Sequence, residues 1–380
     1  MIWLSLTLLL LALAISLPLT GLLVRLGHRF KTYDSAGSGG HIKPDLRQVP
    51  NTGGIAVFAG IALPLAAGLL AVRLGATDFF TSRIPALAEH LPGIAERTPP
   101  ALTLLACLTI LHLLGLIDDR RALGPWVKLV VILGCAAAMT LVTDTRMFML
   151  LDGPAGGIWL SVVITVLWIG LVTNALNFID NMDGLCAGVT TIAGACFLAA
   201  ALLNGQWFIA ATLALLVGAT LGFLAFNLPP ARIFLGDGGS LVVGFTLAFL
   251  TVRTTYYDPA DGMLAGGWYG VFMPLAVLAV PLYDFATVSI VRLSQGRSPF
   301  VGDQQHLSHR LVRRGFTKPA AVGLICSLTA ITGVSGIVLG SLEPWQAILI
   351  GLQIVLTLLA LAFAEAATSG RENGGRGNEQ

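Results

Sequence analysis

Residues 174–185 read NALNFIDNMDGL and set Asn174, Asn177, Asp180, Asn181 and Asp183 between two apolar runs, 158–172 and 186–203. Asn177, Asp180 and Asp183 recur every three residues, so a helix continuing past its apolar part would carry them on one face. A carboxylate at a membrane boundary is costly to hold without a partner, and two of them point to a function. The plainer reading is a polar loop that caps two helices, but a cap needs only one Asp or Asn.

Three further clusters have the same character. Asp118 and Asp119 end an apolar run, LLGLIDD, ahead of Arg120 and Arg121. Adjacent carboxylates suit a divalent cation, or a base whose pKa its neighbour sets. As a solvated helix end they would oppose the helix dipole. RIFLGDGGS sets Asp237 among Gly236, Gly238 and Gly239 before another apolar run. Glycines let backbone N–H groups approach an anion, and a helix N-terminus favours phosphate, beside which Asp237 could hold magnesium. The Lys of a P-loop does not follow. FVGDQQHLSHRLVRRGF carries Asp303, His306, His309, Arg310, Arg313 and Arg314, a set able to grip a polyanion such as a diphosphate. His41, Lys43 and Arg47, ahead of VPNTGG, form a fifth polar group whose role the sequence leaves open. Acids, a glycine-rich turn, histidines and arginines together suit magnesium-assisted phosphoryl transfer, where catalysis is mostly positioning and charge neutralisation.

The elements that must position these groups are membrane helices. Only 11% of the 380 residues are charged, 56% are hydrophobic and the mean hydropathy is +0.84, whereas soluble domains carry about 25% charged residues. A span needs about 20 apolar residues. Eleven candidates follow, at about 2–24, 54–74, 100–117, 126–143, 158–176, 185–203, 206–226, 238–253, 268–291, 319–340 and 344–364. The expected fold is therefore an all-α polytopic bundle, one membrane domain over 1–365 with a disordered tail over 366–380. The first span lacks a basic n-region and a small-residue cleavage site, and reads as a retained helix. Five cysteines without a CxxC give no disulfide framework and no zinc site. A net charge of +2 gives no sign of a nucleic-acid partner.

Seventeen of the 22 Lys and Arg fall in the odd-numbered loops and the tail, and five near the even ones. The positive-inside rule then puts the odd loops and the C-terminus in the cytoplasm and the N-terminus outside. All the dense polar clusters lie in odd loops, so one cleft on the cytoplasmic face of the inner membrane can gather them.

IDDR, NALNFIDNMDGL, RIFLGDGGSLVVGF and DQQHLSHRL, in this order and spacing across about residues 20–320, resemble the signature blocks of the polyprenyl-phosphate N-acetylhexosamine-1-phosphate transferases. The resemblance implies transfer of a sugar-1-phosphate from a UDP-N-acetylhexosamine to a polyprenyl phosphate such as undecaprenyl phosphate. UMP is released, and the reaction needs Mg2+, for which Mn2+ can substitute. By the same resemblance Asp118 matches the acid proposed to deprotonate the lipid phosphate, Asp119 its partner near the metal, and Asn177 and Asp237 the magnesium ligands. Asp183 and Phe234 match positions around the uracil, Gly236 belongs to the donor-binding turn, and Asp180 shares the block with Asp183. His306, His309 and Arg310 match the loop facing the diphosphate and sugar. HLSH is closer to the HLHH of GlcNAc-1-phosphate transferases that start teichoic acid, O-antigen and related glycans than to the three consecutive histidines of the branch acting on UDP-N-acetylmuramoyl-pentapeptide. It departs from HLHH at Ser308, and Gln304 stands where a basic residue is common. A homodimer is left open.

A transporter of nucleotide sugars or polyprenyl lipids would place ionisable groups near the bilayer midplane on broken helices, whereas here they gather at span ends. A catalytically dead scaffold would have no need of Asp118, Asp119, Asn177 and Asp237 together. The orientation is testable directly: a reporter fused after Gln380 is expected to be active only as a cytoplasmic fusion, and periplasmic activity there would refute a one-sided active site.

Overall fold

The computed structural model describes residues 2–33, 48–75, 98–254, 272–298, 304–339 and 342–375, with backbone alone for 150 and 366–375. His41, Lys43, Arg47 and Asp303 lie outside the described residues. These form helices and no named strand: α1 (Ile2–Phe30), α2 (Gly53–Arg73), α3 (Thr98–Asp118), α4 (Pro125–Thr143), α5 (Trp159–Phe178), α6 (Leu185–Leu203), α7 (Trp207–Asn227), α8 (Asp237–Thr254), α9 (Met273–Val277), α10 (Ala279–Ser294), α11 (Leu307–Arg313), α12 (Lys318–Val338) and α13 (Pro344–Gly375). Nine of them are long and apolar enough to cross a membrane: α1 to α7, α12, and α13 over Pro344–Glu365. The protein is a multi-pass membrane helix bundle.

The two remaining expected spans are helical but of another kind. The stretch expected at 268–291 is broken between α9 and α10 near Leu278, with Pro274 and Pro281 at the starts of the two pieces. Proline lacks the N–H that continues a helix and clashes with the preceding turn. The other is α8, the centre of the fold. All its residues except Asp237 and Arg253 are buried, and it packs on α2, α3, α5, α6 and α7. A helix buried on all sides has no polar face to orient it, so its position is set at its ends. The helix α13 runs to Gly375, past residue 366 where a tail was expected.

Small residues let the helices close on one another, as membrane packing requires where lipid offers no hydrophobic drive. In α7, a Cβ on Gly218 would stand 2.1 Å from the Leu9 carbonyl oxygen of α1, and one on Gly222 2.8 Å from the Leu17 nitrogen. Between them Ser16 Oγ donates to the Ala219 carbonyl at 2.7 Å. A Cβ on Gly115 of α3 would fall 2.4 Å from the Asp237 carbonyl, and one on Gly54 of α2 2.3 Å from the Gly239 nitrogen. His112 of α3 closes the same junction: its Nδ1 lies 2.7 Å from the Gly238 carbonyl, and its ring stacks on Phe58 of α2 at 4.4 Å. Two helices, α2 and α3, thus converge on the first turn of α8.

This convergence predicts a contrast. Gly115→Ala is expected to lower stability by about 1–3 kcal/mol, the usual cost of overpacking, and to distort the α8 N-terminus. Gly134→Ala on α4, where a Cβ meets nothing within 4 Å, is expected to be neutral or to add up to about 1 kcal/mol through helix propensity. Thermal unfolding in detergent checks both, and equal stability of the two variants would contradict the packing.

Candidate active site

The site is built at the start of α8. The first N–H groups of a helix have no partner within it. Here Asp119, just past the end of α3, accepts from the Asp237 N–H at 3.0 Å through Oδ1 and from the Gly238 N–H at 3.2 Å through Oδ2. The N–H groups of Gly239 and Ser240 return to the Gly236 carbonyl. The anion at this helix terminus is therefore the protein's own carboxylate. The two N–H groups that the glycine-rich turn was expected to offer a phosphate are already engaged. Gly236 has a φ of +68°, and a Cβ on it would stand 2.5 Å from Asn51 Oδ1 and 2.6 Å from Asp119 Oδ2, so both conformation and space demand glycine. Burial first, and then the neighbouring charge of Asp237, push the Asp119 carboxyl up to about 7, although the two N–H groups and Asn51 favour its charged form.

Asp118 and Asp237 share one cation. Lys128 Nζ, from the first turns of α4, donates to Asp118 Oδ2 at 2.9 Å and to Asp237 Oδ2 at 2.8 Å. Asp118 Oδ1 accepts from the Leu123 N–H at 2.8 Å, which folds the short α3–α4 connection back on the helix end. Asn177, in the last turn of α5, donates through Nδ2 to Asp237 Oδ1 at 3.0 Å and to Ser240 Oγ at 2.7 Å. Asp118, Asp119, Asn177 and Asp237 are thus brought together from three separate connections. The connection between α1 and α2 joins them: Asn51 Nδ2 donates to Asp119 Oδ1 at 3.1 Å, and the Gly53 and Gly54 N–H groups pair with the Phe234 and Leu235 carbonyls.

Asp180 and Asp183 need a correction. The helix does not run on: α5 ends at Phe178, and the chain turns through Gly184, whose φ is +76°. The three-residue spacing therefore does not align Asp180 and Asp183 with Asn177. Asp183 Oδ2 instead accepts from the Ala231 N–H at 2.9 Å, tying this turn to the α7–α8 connection that carries Phe234, which is half-buried. Asp180 is also half-buried, in the same turn.

The histidine segment is turned inward at two of its three expected site residues. His306 is 5% exposed and pairs through Nδ1 with Asp284 Oδ2 at 2.9 Å. Arg310 donates from Nε to Glu365 Oε1 at 2.7 Å and from Nη2 to Thr287 Oγ1 at 3.0 Å, fastening α11 to α10 and α13. His309 is half-exposed; burial, with His306 and Arg313 nearby, pushes it down to about 4, so at neutral pH it is an uncharged imidazole. Ser308, where HLHH has histidine, is buried, and its hydroxyl donates to Asn181 Oδ1.

Sequence reasoning missed Lys128, Asn51, Asp284 and Glu365. Three of them are ionisable residues inside or at the edge of apolar runs, which by itself signals a required partner.

Residues 101–255 match the family model of glycosyl transferase family 4. The chain is 30% identical over 321 residues to a probable undecaprenyl-phosphate N-acetylglucosaminyl 1-phosphate transferase of Bacillus subtilis, covering 83% of this chain and 80% of that protein. It is 27% identical over 312 residues to the undecaprenyl-phosphate alpha-N-acetylglucosaminyl 1-phosphate transferase of Escherichia coli K12, covering 78% and 75%. It is 32% identical over 310 residues to the decaprenyl-phosphate N-acetylglucosaminephosphotransferase of Mycobacterium tuberculosis, covering 75% and 70%. The blocks read from the sequence and these similarities agree, and the chain belongs to glycosyl transferase family 4, as a membrane phosphoglycosyltransferase of the polyprenyl-phosphate N-acetylhexosamine-1-phosphate transferase type.

Proposed function

We propose that this enzyme transfers GlcNAc-1-phosphate from UDP-GlcNAc to undecaprenyl or another polyprenyl phosphate, releasing UMP, on the cytoplasmic face of the inner membrane. The product would initiate a cell-envelope glycan. The observation that carries the reading is the gathering of Asp118, Asn177 and Asp237 from three connections, with Lys128 held between the two carboxylates. The relatives' names support the lipid and the sugar, and HLSH supports the GlcNAc branch.

In this reading an oxygen of the lipid phosphate attacks the β-phosphorus of UDP-GlcNAc. The bond from that phosphorus to the bridging oxygen breaks, and UMP leaves with that oxygen. Asp118 Oδ2, now ion-paired to Lys128, takes the proton of the lipid phosphate where one is present. Asp183 and Phe234 border the uracil, and Asp180 stands in the same turn. His309, neutral in the free protein, offers a hydrogen bond at the diphosphate and no fixed charge. Lys128 is close enough to the two carboxylates to neutralise them before substrate arrives and to offer its ammonium to a phosphate oxygen afterwards.

Among the described residues, no group of three or more His, Cys, Asp or Glu is arranged to hold a metal. The donor set that is present nevertheless suits magnesium, a hard cation that accepts one or two carboxylates and completes its shell with substrate phosphate and water. Asp237 would supply the carboxylate and Asn177 an amide oxygen, which requires that amide to turn, since Nδ2 faces Asp237 here. Bound there, the ion would neutralise charge on the diphosphate.

Two experiments test this. Purified protein with polyprenyl phosphate and radiolabelled UDP-sugars is expected to form lipid-linked GlcNAc and UMP from UDP-GlcNAc, and no product from UDP-N-acetylmuramoyl-pentapeptide. Turnover of the latter alone would overturn the donor assignment. Asp237→Asn is expected to lower turnover by about three orders of magnitude, or about 4 kcal/mol of transition-state stabilisation. Its melting temperature should change little, because the Asp237 side chain does not cap α8, Asn keeps its size and one acceptor oxygen, and Lys128 keeps Asp118 as a partner. Near-wild-type turnover across a magnesium titration would refute the metal role.

A further inference from the structure

The carboxylate of Asp284, 2% exposed on α10, has no part in the chemistry above. Both its oxygens are engaged at the start of α11: Oδ2 with His306 Nδ1 at 2.9 Å, and Oδ1 with the Leu307 backbone N–H at 2.5 Å. On the other side of the imidazole, Nε2 lies 3.5 Å from Arg292 Nη2. A carboxylate only accepts, so the ring carries an N–H on Nδ1, directed at Asp284. Both ring nitrogens are therefore engaged within the protein. Phe178, the last residue of α5, meets the imidazole edge-on at 6.0 Å, and the Arg292 guanidinium lies 5.5 Å from the centre of the Phe178 ring. The residue before it, Asn177, reaches Asp237. Ser308 makes a second link, to Asn181 in the turn after α5. The Asp284 cluster thus joins the start of α11 to the end of the helix that carries part of the acidic site.

We propose that Asp284 is a positioning residue for the nucleotide-sugar side of the site. It orients His306 through Nδ1 and fixes the first turn of α11, so that His306 is a strut between α10, α11 and α5 and exchanges no proton with substrate. The proposal rests on the reading that α11 faces the sugar donor, and it assigns His306 a different task within that reading.

The test separates the two ring nitrogens. Asp284→Asn keeps size and one acceptor oxygen but cannot accept both N–H groups. It is expected to raise the KM for UDP-GlcNAc by about tenfold, the scale of one lost hydrogen bond to a charged group. The KM for polyprenyl phosphate and kcat should move far less, which a general loss of structure would not allow. The amide nitrogen of His306→Asn stands near the place of Nδ1 and can still donate to Asp284, whereas that of His306→Gln stands near Nε2 and cannot. His306→Asn is therefore expected to raise the donor KM about fivefold less than His306→Gln, the size of one ordinary hydrogen bond. Calorimetric titration with UDP should give the same order without turnover. A wild type inert toward UDP-GlcNAc but binding UDP would count against the donor assignment and leave this order as the test of Asp284. Unchanged donor KM in folded Asp284→Asn protein, or Gln replacing His306 better than Asn, would overturn the proposal. If Asp284→Asn does not fold, the order of the two His306 variants decides.

Discussion

A helix buried on every side still has to begin, and its first N–H groups then need acceptors that neither water nor lipid can supply. In this protein the helix is α8 and the acceptor is the Asp119 carboxylate, which takes the Asp237 and Gly238 N–H groups. Hydrogen bonds to a charged group contribute about 1.5–3 kcal/mol each. The arrangement determines what lies around it. Gly236 must be glycine because the chain turns beside that carboxylate, and Gly115 and Gly54 must be small because α3 and α2 pass over the same turn. Asp237 is left with its side chain pointing away from the cap, toward Lys128 and Asn177. The cap that starts the central helix is thus what presents the site's main carboxylate.

The site is also a junction of connections. The α1–α2, α3–α4, α5–α6, α7–α8 and α10–α11 connections, or the helix ends beside them, are joined by hydrogen bonds of Asn51, Asp119, Asn177, Asp183 and Ser308. Side chains that would be loose on separate loops hold one another in place. Asp119 shows how closely structure and chemistry are coupled here: the group matched to a role near the metal is also a cap.

Much of this was legible beforehand, and the limits have physical causes. Among the described residues, apolar runs of span length located nine helices, because a bilayer sets length and composition together. The odd loops could be grouped by charge before any contact was known. The reach of α5 was misjudged because a three-residue period in polar residues resembles a helix face, while Asp183-Gly184, a strong turn signal, outweighs it. Lys128, Asp284 and Glu365 were passed over as parts of spans or loop ends, since pairing between single charges on different helices leaves no mark in local sequence. His306 was legible as an unusual residue, but its direction depends on Asp284, 22 residues earlier in the chain.

The contact between α1 and α7 has a consequence for how the molecule is made. Ser16 and Ala219, which meet there, are 203 residues apart. At about 5–20 residues per second, roughly 10–40 s of synthesis separate the two helices. During that interval the small-residue face of α1 has α2 beside it but not α7, so insertion order and final neighbourhood differ. The packed face of α1 is completed only when α7 arrives, and the nascent chain must keep that place open while α2 to α6 are made.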